Sequence, residues 1–313
     1  MKITVCLCTY NRDYLIKNAI ERVLSQSFMG FELIVVNDGS TDNTFTILQE
    51  LKVIYPDLIV MNNEENKGLA FSRNEALKSS SGAWFTFIDD DDQWENDYLS
   101  SMYREVQGGD CIFCGYRRNK VKYSFEGRKL DLKSALLLGF TPPVGAQMYR
   151  TSFLKQIGGY DPLVRSGVDH DLWIRLVNFD DSIQAIFTSL VLVNPDLYKL
   201  NHSEKMTLNP DKRIPGITSS LVQWSEKLDN IGGVKFREHF TNEYRYYLQS
   251  RFFDSFIKSR DFEIISCLLR YELTNKNKFK FFFRYSCSLF LRIIKKVRFF
   301  KRKNKIKPLF RAF

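Results

Sequence analysis

Residues 84–92 read WFTFIDDDD: five uncharged residues, Trp84 to Ile88, stop abruptly at Asp89, Asp90, Asp91 and Asp92. An aromatic and aliphatic run of this length predicts a buried strand. Carboxylates crowded at its end repel one another, so holding them together requires a cation or open solvent. A hard divalent ion, Mg2+ or Mn2+, that takes further oxygens from a substrate's phosphates meets that requirement. The plain alternative is an acidic turn in which Asp92 or Asn96 caps the next helix.

Working outward from this run, the chain alternates. Hydrophobic spacing predicts strands at 3–7, 32–36, 58–61 and 83–88, each followed by a helix, at 14–25, 44–55, 69–80 and 98–106. A further strand is predicted at 111–116. Repeated strand–helix units imply an α/β fold with a mainly parallel central sheet covered by helices on both faces. Ligands of such sheets gather at the carboxyl ends of the strands. The polar loops at 9–12, 37–42, 66–68 and 89–92 all fall there. Four loops therefore converge on one edge.

The composition, 44% apolar over 313 residues, is enough for a real core and excludes a disordered chain. The net charge of +10 is a local property. Of 46 Lys and Arg, 14 lie in 276–313, which has no acidic residue; the remainder holds 32 basic against 36 acidic residues. Cys6 and Cys8 share one face of a predicted strand, and Cys111 and Cys114 sit in CIFCGY, strand-like and without the helix start of a redox motif. Buried thiols in a reducing compartment are the expectation. The N-terminus enters a strand without a signal peptide's n-region, and no uncharged run approaches the ~18 residues of a membrane span. The chain is expected to stay in the cytoplasm.

Five motifs, VCLCTYNR, ELIVVNDGSTDNT, NKGLAFSRNEAL, WFTFIDDDD and GVDHDLWIRL, follow one another within the stretch from about residue 2 to residue 207 that carries the resemblance. In order and approximate spacing they resemble glycosyltransferase family 2. The resemblance implies the GT-A nucleotide-binding sandwich and a bacterial-type enzyme of surface polysaccharide or glycolipid synthesis. It also implies a nucleotide-diphosphate sugar donor, UDP-linked by preference, a saccharide or lipid-linked saccharide acceptor, an Mn2+ or Mg2+ cofactor and inversion at the anomeric carbon.

Residue by residue, the resemblance implies that Asp38 accepts a hydrogen bond from the donor's base. Its surroundings, Asn37 to Ser40, are equally good turn formers, and Asp42 is placed to cap the next helix. Thr9 and Tyr10, with Arg12 a weaker candidate, would hold base and ribose. Gly68 would let backbone approach the nucleotide, and Arg73 would point toward base or phosphate. Asp89 would contact the ribose or the metal's water shell, and Asp91 would ligate the metal. Many relatives carry a small residue where this chain has Asp90, which leaves the frame ambiguous, so Asp90 could share the ribose contact.

Relatives often have Glu-Asp where this chain has Val168-Asp169. Asp169 matches the aspartate that takes the acceptor's proton, and the first turn of a helix favours its ionised form. Asp171 competes, but stands four residues before Arg175, the spacing of an ordinary exposed helix pair. His202 resembles a late histidine that completes the metal site or touches the diphosphate; a structural role is the alternative.

The organisation expected is a catalytic domain at 1–209, a helical region at 210–275 after the linker-like NPDKRIPG, and a tail at 276–313. The tail interleaves aromatic with basic residues, the composition of an interfacial helix on an anionic membrane surface. No nucleic-acid module accompanies the charge. Two other classes compete: a nucleotidyltransferase would want a Gly-rich loop after the first strand, where CTYNRD has no glycine. A non-catalytic membrane- or nucleic-acid-binding protein would leave the four converging loops without a purpose.

Overall fold

The computed structural model describes residues 2–118, 121–125, 131–132, 136, 142–164, 166–179, 183–194 and 220–241. The chain forms two compact units, Met1–Arg237 and Glu238–Phe313, and the described residues fall almost wholly in the first.

Strands β1 (Ile3–Thr9), β2 (Phe31–Asn37), β3 (Ile59–Asn62) and β4 (Trp84–Asp89) pair in parallel in the order β3-β2-β1-β4. Central parallel strands are covered on both faces, which is why ITVCLCT and FELIVVN read as nearly continuous apolar runs. Helices α1 (Asp13–Leu24), α2 (Thr44–Ile54) and α3 (Leu69–Ser79) make the crossovers, and α4 (Tyr98–Arg104) follows β4.

The register fixes the functional edge. Thr9 lies opposite Asn37, Asn37 opposite Asn62, and Cys8 opposite Asp89. All four parallel strands thus end at one level, and their loops meet there.

Beyond β4 the sheet changes direction. Strand β8 (Gln147–Arg150) runs antiparallel to β4 and to β6 (Cys111–Arg118), while β9 (Ala185–Asn194) runs parallel to β6. A two-residue β5 (Gln93–Trp94) pairs with the end of β9 and returns the chain to the sheet directly after the aspartates. Strand β7 (Val121–Tyr123) pairs with β6 outside the main path. Helices α5 (Thr151–Gln156) and α6 (Val168–Phe179) follow β8, and α7 covers 220–241.

Alternation along the strands sorts side chains to two faces. Ile3, Val5, Leu7, Trp84 and Ile88 join Ile16, Ile20 and Val23 of α1 in one core. Phe85 and Phe87 point the other way and pack together, Phe87 meeting Tyr149 and Tyr160. The first unit runs past residue 209 to Arg237 and takes in most of α7, where Leu221, Trp224, Leu228 and Ile231 are buried. Among the described residues no helix is long and apolar enough to cross a membrane. The tail at 276–313 lies outside the described residues.

Candidate active site

The edge begins with Asp38, 5% exposed after β2. Its Oδ1 accepts hydrogen bonds from Asn63 Nδ2 (2.8 Å) and the Lys67 backbone N–H (3.0 Å), and its Oδ2 from the Gly68 N–H (2.9 Å). Asp38 therefore gathers the loop after β3 and sets the start of α3. A carboxylate offers about four acceptor positions, and the described residues fill three of them at Asp38. Two glycines permit this closure. Gly39 has φ +69°, and a Cβ there would meet the Glu65 carbonyl carbon at 2.3 Å; Gly68 turns into α3 at φ +94°.

The expected cap is present in modified form: Asp42 accepts the Thr44 N–H (2.9 Å) opening α2 and also the Asp13 N–H (3.2 Å) opening α1. Partial burial pushes its carboxyl up, but these hydrogen bonds outweigh burial and hold its pKa below the ordinary value. Asn11, in the left-handed region at φ +52°, joins the same junction by accepting the Thr41 N–H at 2.8 Å.

Strand alternation splits the aspartate run. Asp89, continuing Phe85 and Phe87, faces α3. Asp90 turns to the opposite side, 8% exposed, where Thr9 Oγ1 donates to its Oδ2 (3.0 Å) and Arg12 Nε lies 3.8 Å from its Oδ1. Asp90 thus anchors the loop after β1. Its side chain, expected to share a ribose contact, meets Thr9 and Arg12 on this side of the sheet. Thr9 is likewise buried, whereas Tyr10 is 39% exposed.

Negative charge is in surplus here. Burial pushes Asp90 up to about 7, with Asp91 adding to the rise and Arg12 and Thr9 opposing it. Crowding by protein on its closed side raises Asp89 to about 6, helped by Asp91 and Asp169 and opposed by Arg73, although its side chain is 43% exposed.

Arg73 lies deeper than its sequence suggests. It was expected to point from α3 toward base or phosphate; instead its side chain is 2% exposed and lies between two carboxylates. Nη2 donates to Asp89 Oδ1 at 3.1 Å and Nη1 to Asp169 Oδ1 at 2.7 Å. The guanidinium carbon is 5.3 Å from the Phe87 ring centroid and 5.0 Å from that of Tyr160. Burial opposes the charge, but Tyr160, Asp169 and Asp89 outweigh it and hold the pKa above the ordinary arginine value.

Asp169 opens α6 with its side chain 37% exposed. Asp171 does pair with Arg175, at 2.7 Å, but the pair is not the exposed one expected. Asp171 is 0% exposed and also accepts from Trp224 Nε1 (3.0 Å) and Lys227 Nζ (3.5 Å) on α7. Asp171 is thus enclosed by protein donors, whereas the Asp169 side chain is partly exposed. Leu172, Trp173 and Leu176 pack inside the protein.

Among the described residues no group of three His, Cys, Asp or Glu side chains could hold a metal ion by itself. The donor set fits a hard cation all the same, because Asp89 and Asp91 are carboxylates two residues apart at the end of β4, and each raises the other's cost of ionisation. Mg2+-type sites take one or two carboxylates and complete their shell with water and substrate phosphates. His202 lies outside the described residues. Asn63, Tyr160, Trp224 and Lys227 were not singled out from the sequence. Their partners lie 25 to 86 residues away, and only Trp224, an aromatic in an apolar stretch, carried any local signal.

The family model for glycosyl transferase family 2 matches residues 4–160. The chain belongs to glycosyltransferase family 2. Glycosyltransferase GlyA of Streptococcus pneumoniae is 34% identical over 105 residues, covering 34% of this chain and 15% of the relative. A second curated relative is likewise spanned over less than half its length, 44%. Over a longer stretch, 245 residues, the chain is 29% identical to WfaP of Escherichia coli, a UDP-Glc:alpha-D-GlcNAc-diphosphoundecaprenol beta-1,3-glucosyltransferase. That match covers 74% of this chain and 86% of WfaP. In fold, the family 2 chain superposes on S. aureus TarS 1-349 in complex with UDP-GlcNAc with a TM-score of 0.61 at 20% identity, over 86% of this chain and 78% of the other. The expected GT-A-type α/β architecture is therefore present.

Proposed function

We propose that this family 2 chain transfers a sugar from a UDP-sugar to a hydroxyl of a lipid-linked or other saccharide acceptor, with inversion, in surface polysaccharide synthesis. The observation that carries the reading is the span of Arg73: one buried guanidinium reaches both Asp89, at the end of β4, and Asp169, in the first turn of α6. The donor class draws support from the UDP-GlcNAc complex of TarS, and the acceptor class from the printed activity of WfaP.

In this reading the Asp38 loop and Tyr10 hold the base. Asp91, with Asp89 behind it, would hold Mg2+ or Mn2+, whose chemistry there is to offset charge on the departing nucleoside diphosphate. Asp169 accepts the acceptor hydroxyl's proton as its oxygen attacks the anomeric carbon. A single base on the side of the cleft facing the donor carboxylates suits one direct displacement. The tail at 276–313 would keep the enzyme peripheral at the inner face of the membrane, where a lipid-linked acceptor resides.

The test is a panel of UDP- and GDP-sugars offered with extracted membrane lipids, read by product mass. Acceptor-dependent transfer from a UDP-sugar, cut to a small residual rate in Asp169→Asn, is the expected result. Transfer from no nucleotide sugar, or a product carrying the nucleotide, would overturn it.

A further inference from the structure

We propose that Arg73 is a positioning residue: it holds the Asp169 carboxylate at a fixed place and orientation relative to the donor-side carboxylate Asp89. The inference rests on the reading of Asp169 as the base.

The geometry is that of a rigid spacer. Arg73 rises from α3, whose first residues are pinned by Asp38 through the Lys67 and Gly68 N–H groups. Phe87 and Tyr160 lie against the guanidinium and restrict it. Tyr160 is itself tied to α3 by the neighbouring Asn74, whose Nδ2 donates to the Tyr160 carbonyl (2.7 Å) and whose Oδ1 accepts the Tyr160 N–H (2.8 Å). The cation is 2% exposed beneath two carboxylates that are 43% and 37% exposed. Both acids are partly open to solvent, and the cation that orients them is not. Arg73 therefore acts on substrate only through them.

Each carboxylate receives one nitrogen of the planar fork. At Asp169 the contact engages Oδ1, and among the described residues no hydrogen bond to Oδ2 competes with its taking a proton. Two like charges on opposite walls would otherwise repel and drift apart. A lysine supplies the charge as a single point and cannot grip two carboxylates in a fixed plane. The same α3 thus carries the order set by the nucleotide loop to the acceptor side.

Arg73→Lys tests this, with Tyr160→Leu as a second variant that removes one wall and leaves the cation. Each is compared by melting, by UDP titration with Mg2+, and by steady-state transfer. Arg73→Lys is expected to lower kcat by about 10- to 100-fold, the scale of a misplaced catalytic group. Donor KM and UDP affinity should stay within about threefold, and Tyr160→Leu should shift kcat in the same sense. In Asp169→Asn, whose residual transfer lacks the base, adding Arg73→Lys should cost nothing further, because residues acting as a unit are not additive. Weakened UDP binding in proportion to lost transfer, a fully additive double variant, or unchanged kcat would each overturn the proposal. Failure of the base reading is distinguishable: Asp169→Asn would then transfer normally with Arg73 intact.

Discussion

Trp224 donates its indole N–H to the carboxylate of Asp171 at 3.0 Å, joining α7 to the helix that carries Asp169. Lys227 reaches the same oxygen, Arg175 holds the other, and Ser220 Oγ donates to the Ser166 carbonyl just ahead of α6. A carboxylate that is 0% exposed and shared by three donors is a structural junction, in contrast to a surface ion pair.

That junction predicts stability effects far above the few tenths of a kcal/mol of an exposed i,i+4 pair. Asp171→Ala leaves Arg175 and Lys227 uncompensated and should cost about 3–5 kcal/mol. Trp224→Phe keeps the ring and removes only the N–H, and should cost about 1–2 kcal/mol. Denaturant midpoints measure both. If Asp171→Ala and Trp224→Phe both fell within about 0.5 kcal/mol of the parent, the junction would carry no weight.

Asp90 gives a pH prediction with a defined sign. Its pKa stands at about 7 in the folded chain against an ordinary 3.8, chiefly through burial. Between those values the unfolded state has released the proton and the folded state keeps it, so stability falls as pH rises. The fall begins near pH 4 and levels off above about 7. Asp90→Asn cannot ionise but can still accept from Thr9. Its melting temperature relative to the parent should therefore climb across this window and then stay level. A pH-independent offset between the two melting curves would count against the assignment.

The sequence showed the parallel half of the sheet because each of its strands is a local event: an uncharged run, a polar loop and a periodic helix. It also held the answer to the aspartate frame, since alternation through Phe85 and Phe87 already sends Asp89 to one face and Asp90 to the other. Strand β8 escaped notice because QMYR is four residues of mixed polarity, and its buried Gln147 is satisfied only in the fold, by Tyr149 and the Pro142 carbonyl. Arg73 was expected to point toward base or phosphate, and its contact with Asp169 was not legible because that partner lies 96 residues away. Asp171 showed its i+4 partner in the sequence and hid its burial, which depends on a helix 53 residues further on. Local chemistry was legible, and long-range satisfaction of charge was not.

The metal reading places the cation at Asp91 beside Asp89. Asp91→Asn is expected to abolish the Mg2+- or Mn2+-dependent part of UDP binding, seen by calorimetry with and without EDTA, and to lower transfer by at least about 100-fold. The fold should survive, since the substitution removes charge from a turn where carboxylates repel. Turnover by Asp91→Asn in EDTA at the parent's rate would remove the metal from the account.

The tail at 276–313 carries 14 Lys and Arg, no acidic residue and many aromatics. On anionic lipid each basic residue near the surface contributes about 1 kcal/mol, and inserted aromatic rings add apolar burial. Salt screens the first contribution and leaves the second. The full chain should therefore co-sediment with vesicles containing anionic phospholipid and be released only in part by high salt, while a chain ending at Thr274 stays in the supernatant. The shortened chain should keep transfer to a water-soluble acceptor, because Asp38, Arg73, Asp91 and Asp169 and the α7 residues that clamp α6 all precede its end. Indifference of the full chain to anionic vesicles, or a preference for RNA over them at physiological salt, would refute the membrane reading and leave the catalytic one standing.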